Sequence, residues 1–502
     1  AHSVSEQNGT IILSGGDAGE VSVTGTLDAS GYGEGETGGT VHVLGDMLNF
    51  SGNGLIDVSG DQGGGTLLFG GDYQGQGSVP NATDVFVGPN TQTFADAVTN
   101  GNGGKLIFWA DRRMRFYGIV KGRGGKYFGD GGFVEVSGKE ELFFDGSVDT
   151  TAANGKTGTL LLDPDNIIIE SGSGTPTADS GAVTFTTYET TLEANSATSN
   201  VILLATSSIK FGADANDVVS LDLQGSGNSI TFTVTNGTIT YQNSNSSVTT
   251  QGGDINFSAK NGLAVGNLVS NDGDISLSGS SLSLLGNLNS GTGDIKVSHS
   301  DGGNIGLGSS STCGGTCSMT LTTTDLDKMT ANKLTIGNLT NGDIYVAGFD
   351  QSATIFQNEV ELIVGTHISG AKGEINFEGS SSSFTTLTAK AVNGVNVNAS
   401  LTTTVGSLTI DGDSDNGIDQ LSAKDDINIA SGVTLTSAGA ISLSAKTGGI
   451  DAASALTLTA PTSITLTGDL TVAGAVVLTA NSGITLNGNI TTSSGNLTVA
   501  AN

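Results

Sequence analysis

The chain has 502 residues, of which 78 are Gly and only 5 Pro, with aromatic residues at 5% and charged residues at 13%. That mixture, filled out with Ser, Thr, Asn and aliphatic residues, favours strands and turns over helices. The formal net charge is −31 at pH 7, from 49 acidic and 18 basic residues, which speaks against nucleic acid and against an anionic membrane, because both are bound through clustered Lys and Arg. No run approaches the ~20 apolar residues of a membrane span, so no membrane insertion is expected.

The opening residues, Ala1 to Thr10, lack the charged and apolar regions of a signal peptide, and the chain reads as mature or as a fragment. Residues Asp72 to Asn102 form the longest expected excursion from the strand pattern, broken by Pro80 and Pro89 with Asn81, Gly88 and Asn90. Over about residues 60 to 170 several long mixed motifs occur in order. They are Gly70-Gly71-Asp72-Tyr73-Gln74-Gly75-Gln76-Gly77, Gly103-Gly104-Lys105-Leu106-Ile107-Phe108-Trp109-Ala110-Asp111 and Arg115-Phe116-Tyr117-Gly118. Next come Gly131-Gly132-Phe133-Val134-Glu135-Val136-Ser137-Gly138-Lys139 and Gly158-Thr159-Leu160-Leu161-Leu162-Asp163-Pro164.

This series resembles the body of filamentous-haemagglutinin-type exoproteins, the secreted partners of two-partner secretion systems. Fainter likeness extends over Gly19 to Gly60 and Thr190 to Lys210. The resemblance implies a β-helix, export through a dedicated outer-membrane transporter, a place outside or on the outer surface of a Gram-negative-type bacterium, and adhesion to host or bacterial cells, matrix or glycans. The N-terminal secretion domain of that family, with its Asn-Pro-Asn motifs, has no counterpart here, so the expected chain is a processed or internal portion.

A cationic run, Lys105, Arg112, Arg113, Arg115, Lys121, Arg123 and Lys126, is interleaved with Phe108, Trp109, Phe116, Tyr117, Tyr127 and Phe128. Exposed aromatic faces stack on sugars and Arg pairs with carboxylate or sulfate, which makes Trp109, Arg112, Arg113, Arg115 and Tyr117 candidate ligand-binding residues for acidic glycans. The plainer alternative has Leu106 and Phe108 pointing inward and Trp109 outward as ordinary rungs, with Arg solvated. Glu135, Glu140, Glu141, Asp145 and Asp149 are the densest acidic group, but no basic partner recurs at a repeat-defined position, as a polysaccharide-cleaving β-helix would need. No catalytic motif appears, and no enzyme is expected.

Gly253-Asp254-Ile255, Gly273-Asp274-Ile275 and Gly293-Asp294-Ile295 recur in the middle of the chain. Phe257, Leu277 and Val297 follow the same step, as do Val265, Leu285 and Ile305. Short alternating segments between Gly, Asn, Asp and Ser corners describe the coils of a β-solenoid. The expected fold is all-β, a right-handed parallel β-helix with coils of about 20 residues, the hand following from the preference of parallel crossovers and from the resemblance. Residues 1–163 would carry the motif-rich coils and the 72–102 excursion, and 164–502 would continue as Gly/Ser/Thr/Asn-rich coils. At a spacing of about 4.8 Å, some 25 such coils would make a rod of roughly 120 Å.

If that register holds, Asp254, Asp274 and Asp294 stack, and like charges at one strand spacing are either solvated or share a cation. The run Asp411-Gly412-Asp413-Ser414-Asp415-Asn416-Gly417 begins like a calcium loop, but Asn416 stands where that loop uses Gly and Ser422 where it uses a bidentate Glu. These six aspartates are the candidate metal ligands, with calcium the one cofactor considered. Cys313 and Cys317 fit a small loop disulfide or two free thiols. Gly495 to Ala500 reads as another strand with no cap, so end-to-end self-association is expected alongside cell-surface or glycan partners. The sequence therefore supports an adhesin segment, with a self-assembling fibre subunit as the alternative.

Overall fold

A computed structural model describes residues 3–7, 10–174, 184–308, 313, 315, 317–351, 358–365, 373–416 and 425–501. Strand accounts for 51% and helix for 4% of the chain, and the strands stack in parallel as a β-helix. The chain divides into two compact units, one comprising residues 1–257 and 266–273 and the other residues 258–265 and 274–502. The change of composition near residue 163 falls inside the first unit, where one ladder runs unbroken through Phe133–Gly138, Thr159–Leu162 and Asn200–Ala205.

In the first unit each early coil contributes three strands to three ladders, as in Lys105–Ala110, Arg113–Phe116 and Ile119–Lys121. Register places like on like: Val43, Phe69, Phe108, Val136, Leu162, Leu203 and Phe232 form one continuous inward column. Each of these side chains is fully buried. Period-2 alternation puts every second residue of a strand into that column, so a single apolar phase, repeated coil after coil, builds the core. Phenylalanines fill it with rings in contact, the centroids of Phe69 and Phe108 lying 5.8 Å apart and those of Phe108 and Phe116 4.9 Å apart.

Two expectations need correction. The excursion is confined to residues 70–83, because Asp84–Val87 and Gln92–Phe94 are strands with neighbours on both sides in their ladders. Pro89 only turns the corner there, where Thr91 Oγ1 donates to the Gly88 carbonyl at 2.7 Å. In the second unit the 20-residue step holds for Ile275 with Ile295 and Leu277 with Val297. The column assigned to Val265, Leu285 and Ile305 does not form. Val265 pairs with Leu284, Leu285 is 40% exposed, and Ile305 joins a different ladder with Ile344. The corner before Leu282 is one residue shorter than the one before Leu263, which slips the phase and turns Leu285 outward.

The helix Glu189–Ser196 interrupts the strand pattern and splices two ladders of the first unit. On one side Asn195 accepts from Val148 N–H at 2.9 Å through Oδ1 and donates to the Gly146 carbonyl at 3.2 Å through Nδ2, closing the edge of strand Ser147–Asp149. On the other side Glu189, Glu193 and Ser196 accept from the N–H groups of Ser220, Asp222 and Gln224. Side chains on one face of a helix thus replace the carbonyls of a missing strand at alternate residues of Ser220–Ser226. Asn195→Leu, similar in size but unable to hydrogen-bond, is expected to destabilise the first unit by about 1–3 kcal/mol, because the buried Val148 N–H and the half-buried Gly146 carbonyl lose their partner. Urea unfolding followed by the Trp109 emission checks this, and an unchanged midpoint would refute it.

Candidate functional site

The outer face of the sheet that carries Trp109 is not a solvated face. Its column runs His42, Leu68, Ile107, Glu135, Leu161 and Ile202, and from Leu68 to Leu161 these residues are buried. The cover is the 70–83 excursion, whose ends meet where Ala82 N–H donates to the Gly70 carbonyl at 2.7 Å. Val79 of the excursion and Phe133 pack on the cluster of Leu68, Ile107 and Trp109. Gly75, at φ +63°, lies flat against the indole; a Cβ there would sit 2.5 Å from two of its ring carbons. Tyr73 extends the cover with its ring 5.8 Å from Phe133, while Lys105 pairs with Asp72 at 3.1 Å.

Glu135 is fully buried in this otherwise apolar column. Its carboxyl accepts from Gln74 N–H at 3.1 and 3.2 Å and from Ser137 Oγ at 2.9 Å, so it fastens the excursion from below. Burial outweighs these bonds and pushes its pKa up to about 7. Burial and the nearby Asp165 likewise raise Asp163 to about 7.

Beside the excursion opens a polar cleft of about 560 Å³, lined by Gln76, Asn81, Trp109, Asp111, Lys139 and Asp163 among others, with Leu204, Thr206 and Thr235 on the far wall. Asp111 holds the indole edge and the excursion together, accepting from Trp109 Nε1 at 2.9 Å and from Asn81 Nδ2 at 3.1 Å. Four of the sequence motifs therefore line this cleft, through Gly75, Trp109, Lys139 and Asp163.

The candidate ligand-binding residues do not form one patch. Trp109 is 5% exposed under the excursion, while Arg113 and Arg115 belong to the neighbouring sheet and Tyr117 follows the end of their strand. Arg112 is ion-paired with Asp84, and Arg113 lies 3.4 Å from Asp84 and 3.9 Å from Glu141. Arg115 lines a shallow hollow of about 170 Å³ with Phe86 and Asn49. The Tyr117 ring is 6.1 Å from that of Phe86. Trp109 does point outward, but the excursion removes it from the surface.

Of the candidate metal ligands, Asp254 N–H bonds Ser229 Oγ at 2.9 Å, and Asp274 accepts from Asp294 N–H at 2.9 Å and from Lys296 at 2.6 Å. Asp294 accepts from Asn332 at 3.2 Å. The carboxylates of Asp274 and Asp294 are thus met by amides and a lysine. Asp413 is 1% exposed and accepts from both the N–H and the Oγ1 of Thr447, at 2.7 and 3.0 Å. Its N–H bonds Asp411 Oδ1 at 3.2 Å, Asp415 is exposed, and Asn416 takes a positive φ of 54°, as Gly would. Gly417 and Ser422 lie outside the described residues. Among those described, no group of three or more His, Cys, Asp or Glu is placed to hold a metal ion. Cys313 and Cys317 are joined by a disulfide.

No protein-family model matches the chain, and no curated protein is significantly similar to it.

The burial of Glu135 gives a pH dependence of definite sign. A carboxyl raised from 4.5 to about 7 on folding favours the folded state while protonated; this contribution is complete below the unfolded pKa and is lost as the pH rises through about 7. Urea midpoints read from Trp109 emission are expected to fall between about pH 5 and about pH 8, by up to about 3 kcal/mol from this residue. Glu135→Gln should flatten that fall, leaving the slope due to Asp163; equal slopes in both proteins would contradict the assignment. Gly75→Ala forces a Cβ into the indole and strains a left-handed residue, so it should cost about 1–3 kcal/mol and shift the Trp109 emission to the red. Unmoved emission would mean that the excursion does not pack on Trp109.

Proposed function

We propose that this chain is a segment of an extracellular bacterial adhesin, a β-helical stalk and repetitive binding surface of the filamentous-haemagglutinin type. The observation that carries the reading is the convergence of motifs. Three stretches that resemble that family meet in one feature: Gly70 to Gly77 belong to an excursion over the outer face of a β-helix, and Trp109 and Glu135 lie beneath it. A coherent feature is what a true resemblance would leave, whereas chance likeness in Gly-rich sequence would leave scattered fragments. The Cys313–Cys317 disulfide suits an oxidising compartment outside the cell. The acidic balance and the pairing of Arg112, Arg113 and Arg123 with carboxylates suit a non-catalytic surface that avoids polyanions.

In this reading the coils hold the ligand-contacting faces at fixed spacing, and repetition supplies avidity without high affinity at any one face. Export through a dedicated outer-membrane transporter, cell or matrix partners and freedom from cofactors belong to the same proposal. The purified 502-residue chain, displayed on beads, is expected to retain host or bacterial cells in a saturable way that soluble chain competes away. Retention no greater than that of an unrelated acidic β-helix would overturn the adhesin reading.

A further inference from the structure

We infer that the cleft between the 70–83 excursion and the Asp163–Asp165 corner is a saccharide-binding site that takes a short oligosaccharide carrying free amino groups. The volume of about 560 Å³ lies within the range of small-molecule clefts. Its wall has the two faces that a sugar ring requires. Leu204, beside the small part of Trp109 that the excursion leaves uncovered, offers apolar surface to the C–H side, and Gln76, Asn81, Thr206 and Thr235 offer donors and acceptors to hydroxyls. The wall is also built rather than accidental, because Trp109, Asp111 and Asn81 are fixed to one another by hydrogen bonds and Gly75 is pressed against the indole.

Charge selects among saccharides. Asp111, Asp163 and Asp165 line the cleft against one cation, the exposed Lys139. Asp111 is engaged with Trp109 and Asn81, whereas Asp163, half-buried and beside Asp165, draws on no counter-ion or hydrogen-bond donor among the described residues. An ammonium group on a sugar supplies what Asp163 lacks, a cation within a partly desolvated site, where such a contact is worth more than in water. A sulfated or carboxylated glycan would meet the opposite, an acidic wall. The inference deepens the adhesin reading by naming a ligand class, and rests on that reading only for why a surface segment should hold a sugar.

Trp109 is the single tryptophan of the chain, so its emission reports on this cleft alone. The test titrates the 502-residue chain with an oligosaccharide of glucosamine, with its N-acetylated counterpart and with spermidine. A saturable change in Trp109 emission is expected with the glucosamine oligosaccharide, with affinity lower by at least about tenfold for the other two, since one loses the charge and the other the ring. Asp163→Asn, which keeps the shape and removes the anion, should weaken glucosamine binding by about tenfold or more while leaving the emission of the free protein unchanged. Thr235→Arg, at the exposed wall, should weaken it by a similar factor without touching the excursion.

No saturable change with the glucosamine oligosaccharide overturns the site. Equal binding of the N-acetylated sugar overturns the role given to charge, and equal binding of spermidine overturns the role given to the ring. Because the readout is the indole and not cell retention, failure here and failure of the adhesin reading are separable: a chain that retains cells but leaves Trp109 unmoved keeps the second and loses the first.

Discussion

The structure depends on one constraint: residues of like character must fall at the same phase of successive coils. A parallel strand pairs its backbone with the coils before and after it, so each amide is satisfied only if its neighbours hold the register. The side chains then stack in columns, and a column is either apolar throughout or must answer for its exceptions. The inward column from Val43 to Phe232 meets the first condition. With 5% aromatic residues in the whole chain, the contacts of Phe69, Phe108 and Phe116 show that much of this small allowance is spent on the core.

Glu135 is the exception that organises the outer face. In a column that is otherwise aliphatic it gives up solvation, and it recovers part of it from Gln74 N–H and Ser137 Oγ. The excursion is thereby tied to the sheet by a polar contact of fixed geometry and sealed by Leu68, Ile107 and Trp109. A wholly apolar outer face could be covered in many ways; a buried acceptor beneath a single backbone N–H admits few. The cleft follows from that cover, since its wall is the flank of the excursion held upright by Asp111 and Asn81.

Much of the fold was legible because period-2 patterning and glycine corners are local signals. Ile275, Leu277, Ile295 and Val297 stand at one phase of the repeat, and they pair in that register. The failures share a cause. Leu285 looked like the partner of Val265 because a fixed repeat was assumed, while a corner one residue shorter changes which face each later residue takes. Residues 84–94 looked like excursion because Pro and Gly were weighed above the Val85 and Val87 alternation, which buries both residues in the coil. The helix Glu189–Ser196 gave little periodic signal, with Leu192 its one buried large apolar residue. The candidate site was half legible: Trp109 and Glu135 stood out, but their meeting with Gly75 and Asp163 depends on how an excursion folds back, which no spacing along the chain encodes.

The helical splice gives the first unit a seam of different chemistry. Within the strand ladders coil is joined to coil by amide and carbonyl, groups indifferent to acid. At Ser220 and Asp222 the acceptors are the carboxylates of Glu189 and Glu193, and burial already holds Glu193 above the usual carboxylate range. Acid would therefore weaken the rung at Asp222, where Glu193 is the acceptor. The seam thus answers to pH through a side chain of the helix, at a place in the unit set by the sequence of Glu189–Ser196.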